Sequence, residues 1–304
     1  MQSFNFEAVV PVVPPYRLDL TADALRRLAA NVVDVVDAGA YRRVLRDDRG
    51  SSLVEVTQHR EDALRVRIAG ADGARWVPVV ERMLGVRAQL GDWFDRTAPF
   101  PWLAYLSREL AGLHPPQYPS LFESLAHAIV FQQISIHAAA SIMRRVVERL
   151  SEPVIAQGQT LYAFPSPDSV LAASDETLRA AGLSANKAAH LRSAAEATVT
   201  RAVTREEIDA LPTARAAERL CEIRGIGPWS AAVVMLRGFG RLDVFPLKDS
   251  GVARSLSALS GDPAIDAHAL LEALGPLRGM LYFHLLLGRM RNLTGAAPNS
   301  GEVS

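Results

Sequence analysis

The chain has 304 residues, with 33 basic and 33 acidic side chains and 49% hydrophobic residues. It is soluble and globular by composition and can hold one large domain or two modest ones, but its zero net charge gives no global field to attract nucleic acid, so charge alone ranks DNA binding low. Cys221 is the single cysteine, which excludes an internal disulfide and any four-cysteine zinc or iron–sulfur site. No run is apolar enough to span a membrane, and the start MQSFNFEAVV has neither a basic region nor a small-residue cleavage site. A reducing cytoplasm is the expected compartment.

Residues 1–95 mix strand and helix signals and predict a small α+β domain with an antiparallel sheet. Phe4 and Phe6 alternate, Leu53-Val54-Glu55-Val56 is strand-like, and Leu64, Val66 and Ile68 point one way while Arg65 and Arg67 point the other. Between these runs Thr21 to Val36 predicts a helix capped by Thr21, with Leu25, Leu28 and Val32 on its apolar face. A second helix is predicted from Trp76 to Leu84.

Residues 96–294 read as a helical domain, and 295–304 as a disordered tail. Thr97 to Leu113 predicts a helix after Pro99 and Pro101, and the stretch HPPQYPS then breaks the chain. Phe122, Leu125, Ala126, Ile129 and Val130 form a helical stripe interrupted by the polar pair Gln132-Gln133. On its own that pair reads as a solvated helix end, with Ser135 capping the next helix. Ser174 caps a later helix, and Gly182-Leu183 closes it before Ala185 to Thr200. The histidines lack metal-ligand spacing, and neither a nucleotide-binding glycine loop nor a Gly-x-Ser-x-Gly elbow is present.

The chain is organised around Leu220 to Asp249, LCEIRGIGPWSAAVVMLRGFGRLDVFPLKD. Two apolar helical runs flank Arg224-Gly225-Ile226-Gly227, so that segment must be a tight turn. Gly225 and Gly227 permit positive φ and leave the backbone uncovered, while Pro228 suits the first helical position. Several bare amides then converge at a helix start, which suits an anion such as a phosphate. A Gly-x-Gly alone is more often an ordinary turn.

The continuation narrows the reading, because IRGIGPWSA followed by DVFPLKD resembles the helix-hairpin-helix DNA glycosylases, and within them the 3-methyladenine DNA glycosylase II branch. The resemblance is strong from about Phe122 to Arg254 and looser before that. It implies a mainly α fold of two helical subdomains behind the α+β unit. It also implies hairpin amides on the DNA backbone, through Arg224, Gly225, Ile226 and Gly227, and Asp249 as the catalytic carboxylate. FQQIS resembles the segment that fills the gap left by a flipped nucleotide, which assigns Gln133, with Gln132 beside it, to the wedge. SANKAAHL resembles the stretch preceding the hairpin, where Lys187 is either a phosphate contact or an exposed helix lysine. Arg144, Arg145, Arg224, Arg237, Arg241, Lys248 and Arg254 are further candidates for a basic face.

Breaking the bond between base and deoxyribose builds positive charge on the sugar, which a carboxylate can stabilise while it orients or deprotonates water. As an alternative or additional role, Asp249 N-caps the helix of Ser250 to Leu259. A cationic alkylated purine departs without a general acid and favours aromatic faces, so Trp229 is the first pocket candidate, followed by Tyr282, Phe283, Phe131 and Trp102. Val233, Ser250 and Leu277 stand where relatives place aromatics, which implies a less aromatic pocket. Trp229 also occupies the position of the lysine used by strand-cutting relatives, which implies a monofunctional enzyme. No organic cofactor is expected, although the resemblance allows a monovalent cation on the hairpin carbonyls. The implied partner is double-stranded DNA containing alkylated bases, bound by a monomer. A non-catalytic DNA-binding module and a glycosylase for oxidised or deaminated bases are the other readings.

Overall fold

The structure is a computed structural model that describes residues 3–247 and 250–293. Lys248, Asp249 and the tail 295–304, on which three of the sequence expectations fall, lie outside the described residues. The first part of the chain forms β1 (Phe6–Pro11), α1 (Leu18–Arg26), β2 (Val35–Asp37), β3 (Ala40–Asp47), β4 (Gly50–Arg60), β5 (Ala63–Ala69) and α2 (Val77–Met83). The strands make one antiparallel sheet in the order β1-β5-β4-β3-β2. Period-two alternation decides its faces: Leu64, Val66 and Ile68 are buried against α1 and α2, while Arg65 and Arg67 lie on the other side.

Helix α1 differs from its predicted span. It begins at Leu18, so Thr21 lies inside it, and the Thr21 hydroxyl instead accepts the His114 amide at 3.1 Å. It stops at Arg26, because Arg27 takes a left-handed φ of 63° and Asn31 folds the next residues into a turn. The Asn31 carboxamide oxygen accepts from the amides of Val33 and Asp34 at 2.8 and 3.0 Å. An Asx side chain thus outcompetes the helix the apolar spacing suggested.

The remainder comprises α3 (Trp93–Thr97), α4 (Pro101–Glu109), α5 (Leu121–Val130), α6 (Ile136–Leu150), β6 (Pro153–Ala156), β7 (Gln159–Tyr162), α7 (Pro167–Ala172) and α8 (Asp175–Ala180). After these come α9 (Ala185–Val199), α10 (Arg205–Ala210), α11 (Thr213–Cys221), α12 (Pro228–Phe239), α13 (Ser250–Ser260), α14 (Ala267–Leu274) and α15 (Met280–Met290). The helix expected over 97–113 is shorter, α4 over Pro101–Glu109, with Pro101 in its first turn, and α3 precedes it. The β6–β7 hairpin corrects an all-helical expectation for this part of the chain. Gln157 and Gly158 both take positive φ, 51° and 77°, as a two-residue hairpin turn requires. One parallel bridge, Val44 to Ala163, ties this hairpin to β3.

Helix α5 is the axis of the molecule, with all ten of its residues buried. It packs on α12, α9 and α6. One core lies among α5, α11 and α12, another between α5, α6 and α9, and a third among α4, α13, α14 and α15. Helix α1 serves two cores, giving Leu18, Ala22 and Leu25 to the sheet and Leu20 and Ala24 to α15 and its neighbours.

The sheet is joined to α5 by a buried ionic cluster. Arg43 on β3 donates to Asp34 at 2.7 Å and to Glu123 on α5, and the Tyr41 hydroxyl donates to Asp34 at 2.7 Å. Arg43, Asp34 and Glu123 are each at most 2% exposed. Burial pushes Glu123 up to about 7 against the pull of the Arg43 guanidinium. A carboxyl raised in the folded state contributes stability that is intact below its unfolded pKa and lost as pH rises through the folded one. Wild-type stability relative to Glu123→Gln should therefore fall between about pH 4.5 and about pH 7. Urea titrations at the two ends of that window measure this, and a pH-independent difference would contradict it. Arg43→Met, which strands two buried carboxylates, should cost about 3–5 kcal/mol in the same assay.

Candidate nucleic-acid interface and base pocket

The turn between α11 and α12 uses the positive φ that its glycines permit at Gly225 and not at Gly227. The Ile223 amide donates to Leu220 and that of Ile226 to Ile223, at 3.1 and 3.0 Å, while both isoleucine side chains are buried and anchor the turn. Gly225 has φ of 91°, and a Cβ there would lie 2.3 Å from the His190 ring. Gly227 is extended as the N-cap of α12, with Pro228 next and open space where its Cβ would point. Among the described residues no acceptor meets the amide hydrogens of Gly225 and Gly227. Two bare donors therefore sit at a twelve-residue helix start, where the macrodipole also favours an anion. The Ile223 and Gly225 carbonyls each accept one hydrogen bond and keep a second lone pair.

The end of α5 is fastened to this hairpin. Gln132 Nε2 donates to the Gly225 carbonyl at 2.9 Å and to Ser230 Oγ at 2.7 Å, so its side chain is committed to the protein. Gln133 is exposed, in a left-handed conformation with φ of 56°. Ser135 caps α6 by accepting the Ala138 amide. Lys187 lies behind the loop, donating Nζ to the carbonyls of Val130 and Gln132 at 2.6 and 2.8 Å. It is not a free surface lysine: it satisfies carbonyls at a helix C-terminus, and burial lowers its pKa.

The aromatic candidates separate by burial. Phe131 and Tyr282 are half-buried and share one neighbour, Arg27, whose guanidinium lies 4.5 Å from the Phe131 ring centre and donates to the Tyr282 hydroxyl at 3.1 Å. Arg27, Phe131 and His127 line a small open cleft between the end of α1 and α6. His127 is held well below the usual histidine range, first by burial and then by Arg27, Arg237 and Arg43. Phe283, at 0% exposure, is a core residue packed edge-on against Tyr282, and Trp102 belongs to the same core. Both corrections follow from the stripe that α4 and α15 turn inward. Trp229 is half-buried against the α11–α12 core and does not line the cleft.

The basic face shrinks in a similar way. Arg237 is 1% exposed and donates to the Ala24 and Leu25 carbonyls at 3.0 and 3.3 Å, clamping α12 to α1. Arg145 and Arg241 donate to backbone carbonyls, and Arg144 pairs with Glu148. Arg224 and Arg254 are exposed. Sequence reasoning missed Arg27, because nothing local marks a residue whose hydroxyl partner is 255 positions away. No cluster of three or more metal-ligating side chains exists among the described residues. No single described helix is long and apolar enough to cross a membrane.

Residues 126–276 match the model of the HhH-GPD superfamily base excision DNA repair proteins. The chain belongs to the HhH-GPD superfamily. It is 27% identical to a DNA-3-methyladenine glycosylase of Bacillus subtilis over 55% of its own length and 59% of that protein's, so it spans well under two thirds of that relative. A putative DNA-3-methyladenine glycosylase of the same organism, YfjP, is 24% identical over 84% of this chain and 90% of its own. The solved 3-methyladenine DNA glycosylase of Archaeoglobus fulgidus superposes with a TM-score of 0.78 at 25% identity, over 93% of this chain and 98% of that one.

Because Lys187 satisfies two carbonyls with a charged donor, Lys187→Met should lower stability by about 1–3 kcal/mol. It should also speed amide exchange in residues 131–135. Denaturant titration and hydrogen-exchange mass spectrometry check the two effects together, and unchanged exchange there would show that the loop does not depend on the lysine.

Proposed function

We propose that this protein is a monofunctional DNA glycosylase that flips alkylated purines, of the 3-methyladenine and 7-methylguanine class, out of double-stranded DNA and hydrolyses their N-glycosidic bond. The observation that carries the reading is the junction of loop and hairpin: an exposed Gln133 beside a helix start with uncovered amides, joined through Gln132. The hairpin amides of Gly225 and Gly227 take a backbone phosphate without side-chain charge, which reconciles DNA binding with a net charge of zero. Gln133 enters the gap in the base stack, and Gln132 is its anchor.

Asp249, two residues beyond Leu247 in sequence, supplies the carboxylate that stabilises positive charge on the sugar and orients or deprotonates water. The cationic leaving base needs no proton, so one carboxylate suffices. The half-buried aromatics Phe131, Tyr282 and Trp229 are the base-facing candidates that survive the burial test. Trp229 stands where a Schiff-base lysine would be needed for strand cleavage, which supports release of the base without a lyase step.

The test is release of free 3-methyladenine and 7-methylguanine from methylated duplex DNA. Wild type should release both, Asp249→Asn should lose at least about a hundredfold in rate while still binding DNA, and neither should cut the strand. Binding without base release by wild type would favour a non-catalytic module. Full activity of Asp249→Asn would remove the aspartate from the mechanism. Gly225→Ala, which drives a Cβ into His190, should weaken duplex binding about tenfold or more by fluorescence anisotropy.

A further inference from the structure

We propose that Arg27 is a specificity-determining residue of the base pocket: its guanidinium covers the Phe131 face on which a flipped base would stack, so a cationic base replaces it and a neutral base does not. The inference rests on the alkylated-purine reading and deepens it.

The geometry is that of a cation held in an aromatic slot. The guanidinium carbon stands 4.5 Å from the ring centre of Phe131, which lines the cleft, and Nη2 reaches the hydroxyl of Tyr282, outside the cleft lining, at 3.1 Å, so one side chain bridges two half-buried aromatics. Arg27 is only 6% exposed although it sits at the end of a helix. Its backbone, at φ 63° and ψ −61°, aims the side chain inward from the turn that closes α1. Phe131 immediately precedes the wedge loop, and its other ring neighbour is His127, with centroids 5.7 Å apart.

An aromatic face attracts a cation electrostatically, more strongly once water is excluded. A base that stacks on Phe131 must displace the guanidinium. An N-alkylated purine carries its own positive charge, so the slot keeps a cation–π contact and the charge of the buried region is unchanged. A neutral purine gives back only stacking, and the cation–π contact is lost. The difference falls on neutral bases alone, and so acts as a filter against undamaged DNA. Arg27 comes from the sheet-bearing part of the chain, so this assigns that part a role in choosing substrate.

The experiment compares bases released by one enzyme, so that any general loss of folding or catalysis cancels. Methylated duplex DNA and a hypoxanthine-containing duplex are incubated with wild type, Arg27→Ala and Arg27→Lys. Released 3-methyladenine and 7-methylguanine are measured against released adenine, guanine and hypoxanthine. Arg27→Ala should lower the ratio of alkylated to neutral base by about tenfold, and Arg27→Lys, which keeps a cation, should stay within about twofold of wild type. If Arg27→Ala does not fold, Phe131→Leu, which removes the face itself, should give the same fall in ratio. An unchanged ratio with release retained overturns the filter alone. Absence of any release by wild type overturns the glycosylase reading and this inference with it.

Discussion

Much of the molecule depends on one buried contact, the donation from Arg43 on β3 to Glu123 on α5. Two ionisable groups, each at most 2% exposed, are costly to bury apart and can be buried only together, so the contact fixes the sheet against the central helix. Helix α5 in turn carries Phe131, Gln132 and Gln133 at its C-terminal end, and each of these has a different job. Arg237 makes a second joint of the same kind, reaching from α12 to the carbonyls of α1. Sheet and helices are therefore two regions with separate cores but not two independent bodies. The position of the loop that follows α5 is inherited from a contact between the sheet and that helix.

Much of the fold was legible because local chemistry and tertiary packing agree there. The alternation of Leu64, Val66 and Ile68 against Arg65 and Arg67 specifies a half-buried strand, the glycines and Pro228 specify the hairpin, and Ser135 and Ser174 cap as their positions suggest. Where the reading failed, a single side chain or a short run overrode the pattern. Asn31 ended α1 early, Pro101 set a later start for α4, and two residues with positive φ made a hairpin of segments too short to declare themselves.

The site was legible in its backbone and less so in its side chains. Glycine spacing encodes a turn directly, whereas burial of Phe283 and Arg237 depends on helices far away in the chain. The glutamine pair shows the limit well. Two identical neighbours have opposite fates because the left-handed backbone at Gln133 sends one outward while Gln132 finds Gly225 and Ser230. Arg27 was invisible for the same reason, since its partners Phe131 and Tyr282 come from α5's end and α15.

The link from Gln132 to Gly225 has a metric consequence. The residue assigned to the gap and the amides assigned to the phosphate belong to one stiff piece, so the separation between them is a constant of the protein and not an adjustable loop length. Such a piece works like a pair of calipers set to one opening. On the proposed function, it fits a duplex whose backbone can be drawn to that spacing, and a lesion that softens the helix meets the requirement at lower elastic cost than an intact base pair.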